Sequence, residues 1–394
     1  MVDEAGMVSG RQMEGLLKLA EREHTRILFS GDTRQIQSVE ASDALRILER
    51  ESKMESVSLT GVQQQTHTEY RDAIQTLRDS PEQGFEKLER LGTVREVPAI
   101  ERAQAVADIY REMTVNPDRR VLVVAATHEE IGRVTAAIRH DLKEHGELAT
   151  GTILERHVPL QWTETQKRDL ANYHEGQILH FHRATHDVGR HDSLEVRRVD
   201  GDGLIARNER GQDVSLTTKQ AWAYSVHERQ PMEVAAGDRL LLTGNRRSPE
   251  FQATNGELVT VRNVEGRKIH LEDGRTIPDN YREFAHGYAV TAHCSQGKTV
   301  DRVIVSADAM KQELFYVAAS RGREKIAIVT SDREQLRESL GISTARPSAM
   351  ELARELRPEP AAHEHGLEKM PVQSVQQPEP RHEISYGHDF GPSL

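Results

Sequence analysis

The chain has 394 residues, enough for two or three domains of ordinary size, and it carries a formal net charge of −11. A charged fraction of 29% without a long apolar run excludes a membrane span, and no signal-peptide pattern is present, so we expect a cytoplasmic protein. The single cysteine, Cys294, excludes an internal disulfide and a cysteine-based zinc cage, and the acidic balance counts against nonspecific nucleic-acid binding by the whole surface.

The first 110 residues are predicted to be mostly helical, with one or two strands of the parallel type. Residues 9–24 start with a capping serine and place apolar side chains at helical spacing, and ILFS at 27–30 predicts a buried strand. SDALRILERE at 42–51 predicts a second capped helix, and apolar spacing continues helical structure through 68–90. VLVVAA at 121–126 predicts a buried parallel strand, followed by an amphipathic helix that ends at Gly146.

Residues 150–280 have a different sequence pattern. Short alternating segments such as SLEVRRV and GELVTVRNV are separated by Asp-Gly, Asn-Gly and Glu-Gly turns, which predicts a β-rich insertion of one or two small barrels. Strand and helix patterns typical of a parallel sheet return with HGYAVTAH, RVIVSAD, QELFYVAASRGR and IAIVTSD. Apolar periodicity is lost beyond about residue 341, so we expect a disordered tail.

Two motifs near the start of the chain point to phosphate chemistry. MVDEAGMV places Asp3 and Glu4 side by side at the expected end of a buried strand. In a triphosphatase such a pair divides the work, because the aspartate holds Mg²⁺ and the glutamate polarises the attacking water. LFSGDTRQIQSV places Gly31, Asp32 and Gln35 after the next strand, where the glutamine can contact a γ-phosphate. A solvated turn is the simpler interpretation of either motif alone.

Two further motifs follow the insertion. LFYVAASRGREKIAIV places Arg321 on a helix expected to face the nucleotide, where an arginine can stabilise the charge of a transferred phosphoryl group. TAHCSQGKTV at 291–300 ends in Gly-Lys-Thr like a phosphate-binding loop. Ala292 stands where that loop needs its first glycine, so the segment does not fit the loop, and Lys298 is predicted to be an exposed lysine at a helix start.

Together the four motifs resemble a known family. DEAG, GDTRQ, TAHCSQGKT and YVAASRGR are similar to motifs II, III, V and VI of superfamily 1 DNA helicases of the RecD-like, 5′-to-3′ branch. More narrowly, the chain resembles the helicase part of MobF-type conjugative relaxases over residues 1 to 335. In that family, GDRLLLTGNRRSPEFQATNGELVTV corresponds to a small SH3-like barrel inserted before motif V.

The resemblance implies ATP and Mg²⁺ as cofactors and single-stranded DNA as a partner, with the conjugative transfer machinery as a further possible partner. By position in the motifs it assigns Mg²⁺ binding to Asp3, base catalysis to Glu4, γ-phosphate sensing to Gln35 and the arginine finger to Arg321. Motif V would couple the two ligands. Its nucleotide side would be lined by Gly297 and Thr299, and its DNA side by Thr291, His293 and Ser295.

The implied fold is α/β, with two RecA-like P-loop NTPase motor domains of which the first is incomplete. Residues 1–60 are predicted to be the remainder of the first motor domain, and 61–150 the linker helices with the start of the second. Residues 151–280 are the β-rich insertion of one or two SH3-like barrels, 281–340 the rest of the second motor domain, and 341–394 the disordered tail.

Two departures from the family pattern lead to alternatives. The P-loop of these helicases lies upstream of the Asp-Glu motif, and only Met1 and Val2 precede Asp3, so we expect a fragment that lacks the relaxase domain and is inactive alone. Gln64 stands where the family has an arginine, which removes a bidentate phosphate contact. A noncatalytic module that binds single-stranded DNA or a partner is therefore the alternative. A permuted triphosphatase with a P-loop at 297–299 is a poor third hypothesis.

Histidines form one further cluster in the sequence. Five of them fall within 18 positions, at 174, 180, 182, 186 and 191, and imidazole suits zinc or nickel. His180 and His182 lie on one face of a predicted strand, but no carboxylate or cysteine nearby completes a ligand set. Solvent-facing strand histidines are the simpler interpretation, and a metal site is the alternative.

Overall fold

The computed structural model describes residues 1–33, 43–52, 54–57, 65–116, 118–308 and 310–344. The predicted tail at 341–394 lies outside them from residue 345 onward. The α-helices of these residues are α1 (Gly10–Arg22), α2 (Ala44–Glu51), α3 (Thr68–Asp79), α4 (Pro81–Arg90), α5 (Arg102–Thr114), α6 (His128–Glu144), α7 (Glu164–Arg168), α8 (Ala292–Ser295), α9 (Gln312–Ala319) and α10 (Arg333–Leu340).

The strands form two groups, those of the insertion (β3 to β15) and those that precede and follow it in the sequence. They are β1 (Val94–Glu96), β2 (Val121–Ala125), β3 (Thr152–Pro159), β4 (Ile178–Phe181), β5 (Ser193–Asp200), β6 (Gly203–Asn208), β7 (Asp213–Thr217), β8 (Tyr224–Val234), β9 (Arg239–Leu242), β10 (Arg246–Arg247), β11 (Gln252–Ala253), β12 (Leu258–Glu265), β13 (Lys268–Leu271), β14 (Thr276–Ile277), β15 (Phe284–His286), β16 (Ala289–Thr291), β17 (Val300–Ser306) and β18 (Gly322–Thr330).

A parallel sheet of five strands, in the order β1-β18-β17-β2-β16, forms the centre of the α/β part. Val123 of β2 lies opposite Ala289 of β16 on one side and Ile304 of β17 on the other. All five residues of β2 are buried, as expected of a central strand covered on both faces. The sequence prediction of a parallel sheet is confirmed.

Side chains of β2 alternate between two apolar cores. Val121 and Val123 pack with α5 and α6 on one face of the sheet. Leu122 and Val124 pack with α3, α4, α9 and α10 on the other. Because successive strand residues point to opposite faces, this run of valine and leucine serves both cores and produces three layers, helix, sheet and helix.

Residues between β2 and β16 include the β-rich insertion. A six-stranded antiparallel sheet has the order β3-β8-β4-β5-β6-β7, and a five-stranded antiparallel sheet has the order β14-β13-β12-β9-β15. A short hairpin pairs β10 with β11. The strand β15 pairs with β9 and so belongs to the insertion, although it follows the predicted boundary at 280. That either sheet is an SH3-like barrel stays a prediction.

The N-terminal segment partly departs from the sequence prediction. The helices α1 and α2 form as expected, with Ser9 closing a capping box and Asp43 capping α2. The predicted buried strand at 27–30 is wrong. Phe29 forms one parallel bridge to Val2, and Leu28 is 64% exposed. Among the described residues no further strand pairs with this segment.

In the part of the chain that the structure describes, every helix is too short or too polar to span a bilayer.

Candidate functional site

The DEAG segment, residues 3–6, forms a tight turn after the Val2 bridge. Glu4 adopts a left-handed backbone conformation with φ 51° and ψ 40°, which is uncommon for a residue with a side chain. Oδ1 of Asp3 accepts a hydrogen bond from the Glu4 amide at 3.0 Å, and the Ala5 amide donates to the Ser30 carbonyl at 2.8 Å. These bonds leave the Asp3 side chain exposed and the Glu4 side chain half-buried.

The second motif packs its backbone directly against this turn. A Cβ added to Gly31 would lie 3.0 Å from the amide nitrogens of Ala5 and Gly6 and from Cδ2 of Leu45. Glycine at 31 therefore permits the close approach of two backbones. Asp32 follows, and its Oδ1 lies 3.8 Å from Nη2 of Arg78 on α3. Gln35, the predicted γ-phosphate sensor, lies outside the described residues.

The segment TAHCSQGKT begins at the carboxyl end of β16 and turns back toward the start of β17. Thr291 caps the four-residue helix α8 by accepting from the Cys294 amide at 3.1 Å. Ser295 is fully buried and donates to the Ala292 carbonyl at 2.7 Å, whereas His293 is exposed. The predicted DNA-facing residues thus separate into two kinds, with Thr291 and His293 at or near the surface and Ser295 inside.

Gly297 and Thr299 continue this segment. Gly297 has φ +73°, a left-handed conformation, and a Cβ there would lie 3.9 Å from Oε1 of Glu4. Thr299 is half-buried. The prediction that Lys298 is an exposed lysine at a helix start is wrong. It follows α8, is half-buried, and its Nζ donates to the Gly256 carbonyl of the insertion at 2.7 Å.

Motif V contacts motif II through one side-chain hydrogen bond. Nε2 of Gln296 donates to Oε2 of Glu4 at 3.3 Å, across 292 positions of the sequence. Oε1 of Gln296 is buried without a hydrogen-bond partner among the described residues. The carboxylate predicted to be the catalytic base is therefore held by the segment that also carries Thr291 and His293.

Arg321 of motif VI contacts motif V through its guanidinium. It follows the end of α9 at Ala319 and immediately precedes β18, so the expectation that it lies on the helix is wrong. Val300 pairs with Gly322 at the start of two parallel strands, which brings the residues just before each strand together. The guanidinium donates to the carbonyls of Val317 at 2.8 Å and Lys298 at 3.3 Å, and to Oγ of Ser320 at 2.8 Å.

The environment of Arg321 is buried and polarised toward Glu4. Arg321 is 4% exposed. Burial lowers the pKa of its guanidinium from the usual value, and the negative charge of Glu4 opposes that shift. The negative charge of Glu4 thus acts on a buried cation that is held by hydrogen bonds to the main chain.

Two residues behind Arg321 were not assigned a role from the sequence. Gln65 is 1% exposed, and its Nε2 donates to the carbonyls of Ser320 and Gly322, each at 3.0 Å. The hydroxyl of Tyr70 donates to the Ala319 carbonyl at 2.6 Å. Both hold the main chain on either side of Arg321. The signal was present, because Gln65 follows Gln64 in the segment that precedes the Tyr-Arg helix, but Gln64 itself lies outside the described residues.

The arrangement can bind a phosphate ester with a metal ion. Mg²⁺ in nucleotide sites is usually held by one or two carboxylates together with the substrate phosphates. Asp3 and Glu4 offer such carboxylates, the Gln296 amide lies 3.3 Å from Glu4, and the charge of Glu4 acts on the buried Arg321. Phosphoryl transfer uses a carboxylate or amide to orient the attacking group and an arginine to stabilise the developing charge.

Comparisons with known proteins agree with this chemistry. A family model described as an AAA domain matches residues 1–99, the part that holds Asp3, Glu4 and Gly31. The chain is 25% identical over 337 residues to the conjugal transfer protein TraA of Rhizobium radiobacter, which covers 84% of this chain and 24% of TraA. It is 23% identical over 426 residues to the multifunctional conjugation protein TraI of Escherichia coli, covering 91% of this chain and 23% of TraI.

Among solved structures, the Pif1 helicase from Candida albicans aligns with a TM-score of 0.39 and 14% identity, covering 90% of this chain and 76% of that one. Residues 1–99 thus match an AAA-domain family model, and the chain is similar over most of its length to two conjugation proteins. The matches to TraA and TraI confirm the resemblance to the superfamily 1 helicase part of a conjugative relaxase. The chain spans about a quarter of the length of these curated relatives.

Proposed function

We propose that this chain is the motor region of an ATP-dependent DNA helicase or translocase that acts in conjugative transfer and moves 5′ to 3′ on single-stranded DNA. The observation that carries the proposal is the hydrogen bond from Gln296 to Glu4. It connects the carboxylate suited to activate water with the segment that presents Thr291 and His293 toward solvent. The parallel-sheet layer would then be a RecA-like motor domain.

In this proposal ATP binds beside the DEAG turn. Asp3 holds Mg²⁺ and Glu4 polarises the attacking water, as carboxylates do in phosphoryl transfer. Gly297 and Thr299 line the nucleotide side, and glycine at 297 allows the left-handed backbone that brings this segment beside Glu4. Arg321 stabilises the charge that develops on the transferred phosphoryl group. Arg321 is only 4% exposed, so it acts in a setting of low dielectric. Charge stabilisation is larger there than it would be in water.

DNA binds on the other side of the same segment. Thr291 and His293 contact single-stranded DNA, because both lie at or near the surface on α8 and its cap. Ser295 supports this role indirectly, since its buried hydroxyl closes the short helix onto the Ala292 carbonyl. A change in the bond between Gln296 and Glu4 during hydrolysis would shift α8 and alter the DNA contact. Proteins of the transfer machinery are proposed partners of the whole protein.

The test is ATP hydrolysis stimulated by single-stranded DNA, measured with the full chain and with Glu4→Gln. The exposed Glu55→Gln variant is the matched control, because it removes the same charge from a residue outside the site. Loss of at least about 100-fold in turnover is expected for Glu4→Gln and no change for the control, as removal of a general base usually costs 10²–10⁴-fold. Equal and measurable turnover in the two variants would rule out the proposed role of Glu4, whereas no turnover even in the unchanged chain would agree with the expectation that it is inactive alone and would favour the noncatalytic module.

A noncatalytic module that binds single-stranded DNA or a partner is the second candidate. What favours it is that the 394 residues contain no G-x-x-x-x-G-K-[ST] pattern. Fluorescence anisotropy with a labelled oligonucleotide separates the two functions. A motor changes its DNA affinity when Mg²⁺ and an ATP analogue are added, whereas a pure binding module keeps the same affinity with nucleotide and in Glu4→Gln.

A further inference from the structure

Three histidines and one glutamate meet where the two antiparallel sheets adjoin. His157 lies on β3, His180 on β4 and His227 on β8, all in the six-stranded sheet. Glu283 immediately precedes β15 of the five-stranded sheet. The amide of His157 donates to the Arg282 carbonyl at 2.8 Å, which fixes the two sheets together at this point.

The side chains of this group lie within reach of one ion. Ligand atoms of His180, His227 and Glu283 all lie within 4.8 Å of one another. A tetrahedral ion with bonds of about 2 Å needs ligand atoms about 3.3 Å apart, so small side-chain rotations complete the site. His157 is next to this set, because its Nδ1 lies 3.0 Å from Nε2 of His180.

Two of the three groups have unused lone pairs. His227 is 4% exposed, and its Nδ1 is buried with no hydrogen-bond partner among the described residues, while Nε2 lies 2.9 Å from Oγ of Ser225. The Glu283 carboxylate is half-buried and lies on the wall of a cavity, so it is accessible to an ion. The buried, unpaired Nδ1 of His227 is the costly group, because buried polar atoms in native proteins usually have a partner.

The backbone makes room for the glutamate. A Cβ added to Gly244 would lie 2.3–2.5 Å from the carboxyl atoms of Glu283. Glycine at 244 therefore allows the carboxylate to lie flat against the main chain, directed at the histidines. On the other side of His180, Oγ of Ser193 lies 2.7 Å from Nδ1 and orients the ring.

A cavity of about 180 Å³ gives access from solvent. His180 and Glu283 form part of its wall, together with His191, Arg190 and Arg246. The two arginines place positive charge on this wall, which weakens the binding of a cation. The loss of metal affinity depends on the distance of each arginine from the ligand atoms. Arg246 acts electrostatically on both His180 and Glu283.

We propose that His180, His227 and Glu283 bind one divalent transition-metal ion of the zinc type, which joins the six-stranded sheet to the five-stranded sheet. Two imidazoles and a carboxylate are a known ligand set for zinc, with a water molecule in the fourth position. The cavity supplies that water. Both ring nitrogens of His180 have a hydrogen-bond contact, one with His157 and one with Ser193, so a bound ion replaces one of these contacts and the other orients the ring.

This set differs from the histidine cluster seen in the sequence. Of the five histidines between 174 and 191, His180 alone belongs to the site. His186 is 95% exposed and pairs with Asp187, and His174 lies 3.1 Å from Glu228. The missing carboxylate comes from position 283, about a hundred residues away in the sequence.

The experiment is zinc binding to the full chain without an affinity tag, after removal of metals with a chelator. Titration against a chromophoric chelator gives the stoichiometry and affinity, and substitution with Co²⁺ gives an absorption spectrum that reports coordination by nitrogen and oxygen. Variants of the ligands are Glu283→Gln and His227→Gln. The controls are His191→Gln, which changes another histidine of the same cavity wall, and His174→Gln.

One equivalent of zinc is expected, with affinity weakened at least about tenfold in each ligand variant and unchanged in both controls. Arg246→Gln is expected to strengthen binding, because it removes a positive charge beside the ion. Zinc is also expected to raise the melting temperature of the unchanged chain and not that of Glu283→Gln. The absence of binding, or equal weakening in ligand variants and controls, would overturn the proposal.

Discussion

The side-chain amide of Gln296 donates a hydrogen bond from Nε2 to Oε2 of Glu4 at 3.3 Å, which connects the first motif of the chain with a segment 292 positions later. On the proposed function, this bond transmits the state of the nucleotide to the DNA contact. We therefore expect Gln296→Ala to remove the effect of an ATP analogue on the affinity for single-stranded DNA. The measurement is fluorescence anisotropy with and without the analogue and Mg²⁺.

The matched control for this variant is Gln335→Ala, on the exposed surface of α10. That variant should keep the full nucleotide effect. Loss of one hydrogen bond to a charged group should also lower the free energy of unfolding by about 1–3 kcal/mol in Gln296→Ala. A nucleotide effect of unchanged size in Gln296→Ala would show that another contact couples the two ligands.

Gly31 allows motif III to pack against motif II, and its replacement should disrupt that contact. In Gly31→Ala the new methyl group would lie 3.0 Å from two backbone nitrogens, so the two segments must separate. We expect a loss of about 1–3 kcal/mol in the free energy of unfolding. Gly15→Ala on α1 is the control, since nothing lies within 4 Å of its added Cβ. It should stabilise the protein by about 0.4–1 kcal/mol, and urea unfolding of both variants gives the sign of each effect.

Glu130 lies in a buried network that connects α5, α6 and β17. Nε and Nη2 of Arg102 each donate to its carboxylate at 2.9 Å, and Ser306 donates at 2.7 Å. Removing this charge in Glu130→Gln weakens two hydrogen bonds to a buried charged group, while Asp308 still pairs with Arg102. We expect thermal unfolding to show a loss of about 1–3 kcal/mol.

The neighbouring residue provides the control for this prediction. Glu129 lies in the same first turn of α6, but its side chain is 80% exposed. Glu129→Gln should change stability by less than about 0.5 kcal/mol. If the two variants lost similar stability, a general effect of helix charge would explain the result better than the buried network.

Glu233 should make the stability of the chain depend on acid. Hydrogen bonds from Lys143 and from the Gly151 amide lower its pKa from 4.5 to about 2. Because the pKa is lower in the folded state, the stabilisation is complete above pH 4.5 and is lost as pH falls toward 2. We expect Glu233→Gln to cost about 1–2 kcal/mol at pH 7, after allowance for partial solvent screening, and progressively less below pH 4.5.

Urea midpoints of the unchanged chain and of Glu233→Gln between pH 7 and pH 2.5 test this dependence. Glu144→Gln is the control. Its side chain is 61% exposed, and it lies at the end of α6 next to Lys143. Its stability should follow that of the unchanged chain at every pH. A difference between the Glu233→Gln variant and the unchanged chain that stays constant across the range would exclude the ionised carboxylate as its source.

Local patterns in the sequence were enough to predict the parallel-sheet layer. The unbroken apolar run of β2 predicted a strand covered on both faces, and Ser9 with Gln12 forms the capping box at the start of α1. These signals involve neighbours within a few residues, so no knowledge of the fold is required to interpret them. The N-terminal strand failed because burial depends on which strands pair beside it.

The contacts that make up the candidate sites depend on distant segments. Gln296 reaches Glu4, and His180 meets His227 and Glu283, through the register of strands that are far apart in the sequence. Local period and spacing do not identify which distant strands pair. Ser295 illustrates the same limit, because it is buried although nothing in its local sequence pattern predicts that.

The order of strands in the parallel sheet also determines when the sheet can form. Val94 of β1 pairs with Ile328 of β18, and β2 pairs with β16 and β17, both made after the insertion. At a synthesis rate of 5–20 residues per second, about 10–40 s pass between the emergence of β2 and that of β18. During that interval the apolar faces of α5 and α6 have no sheet to cover them. Slow folding dominated by distant contacts, and protection by chaperones during synthesis, follow from this topology.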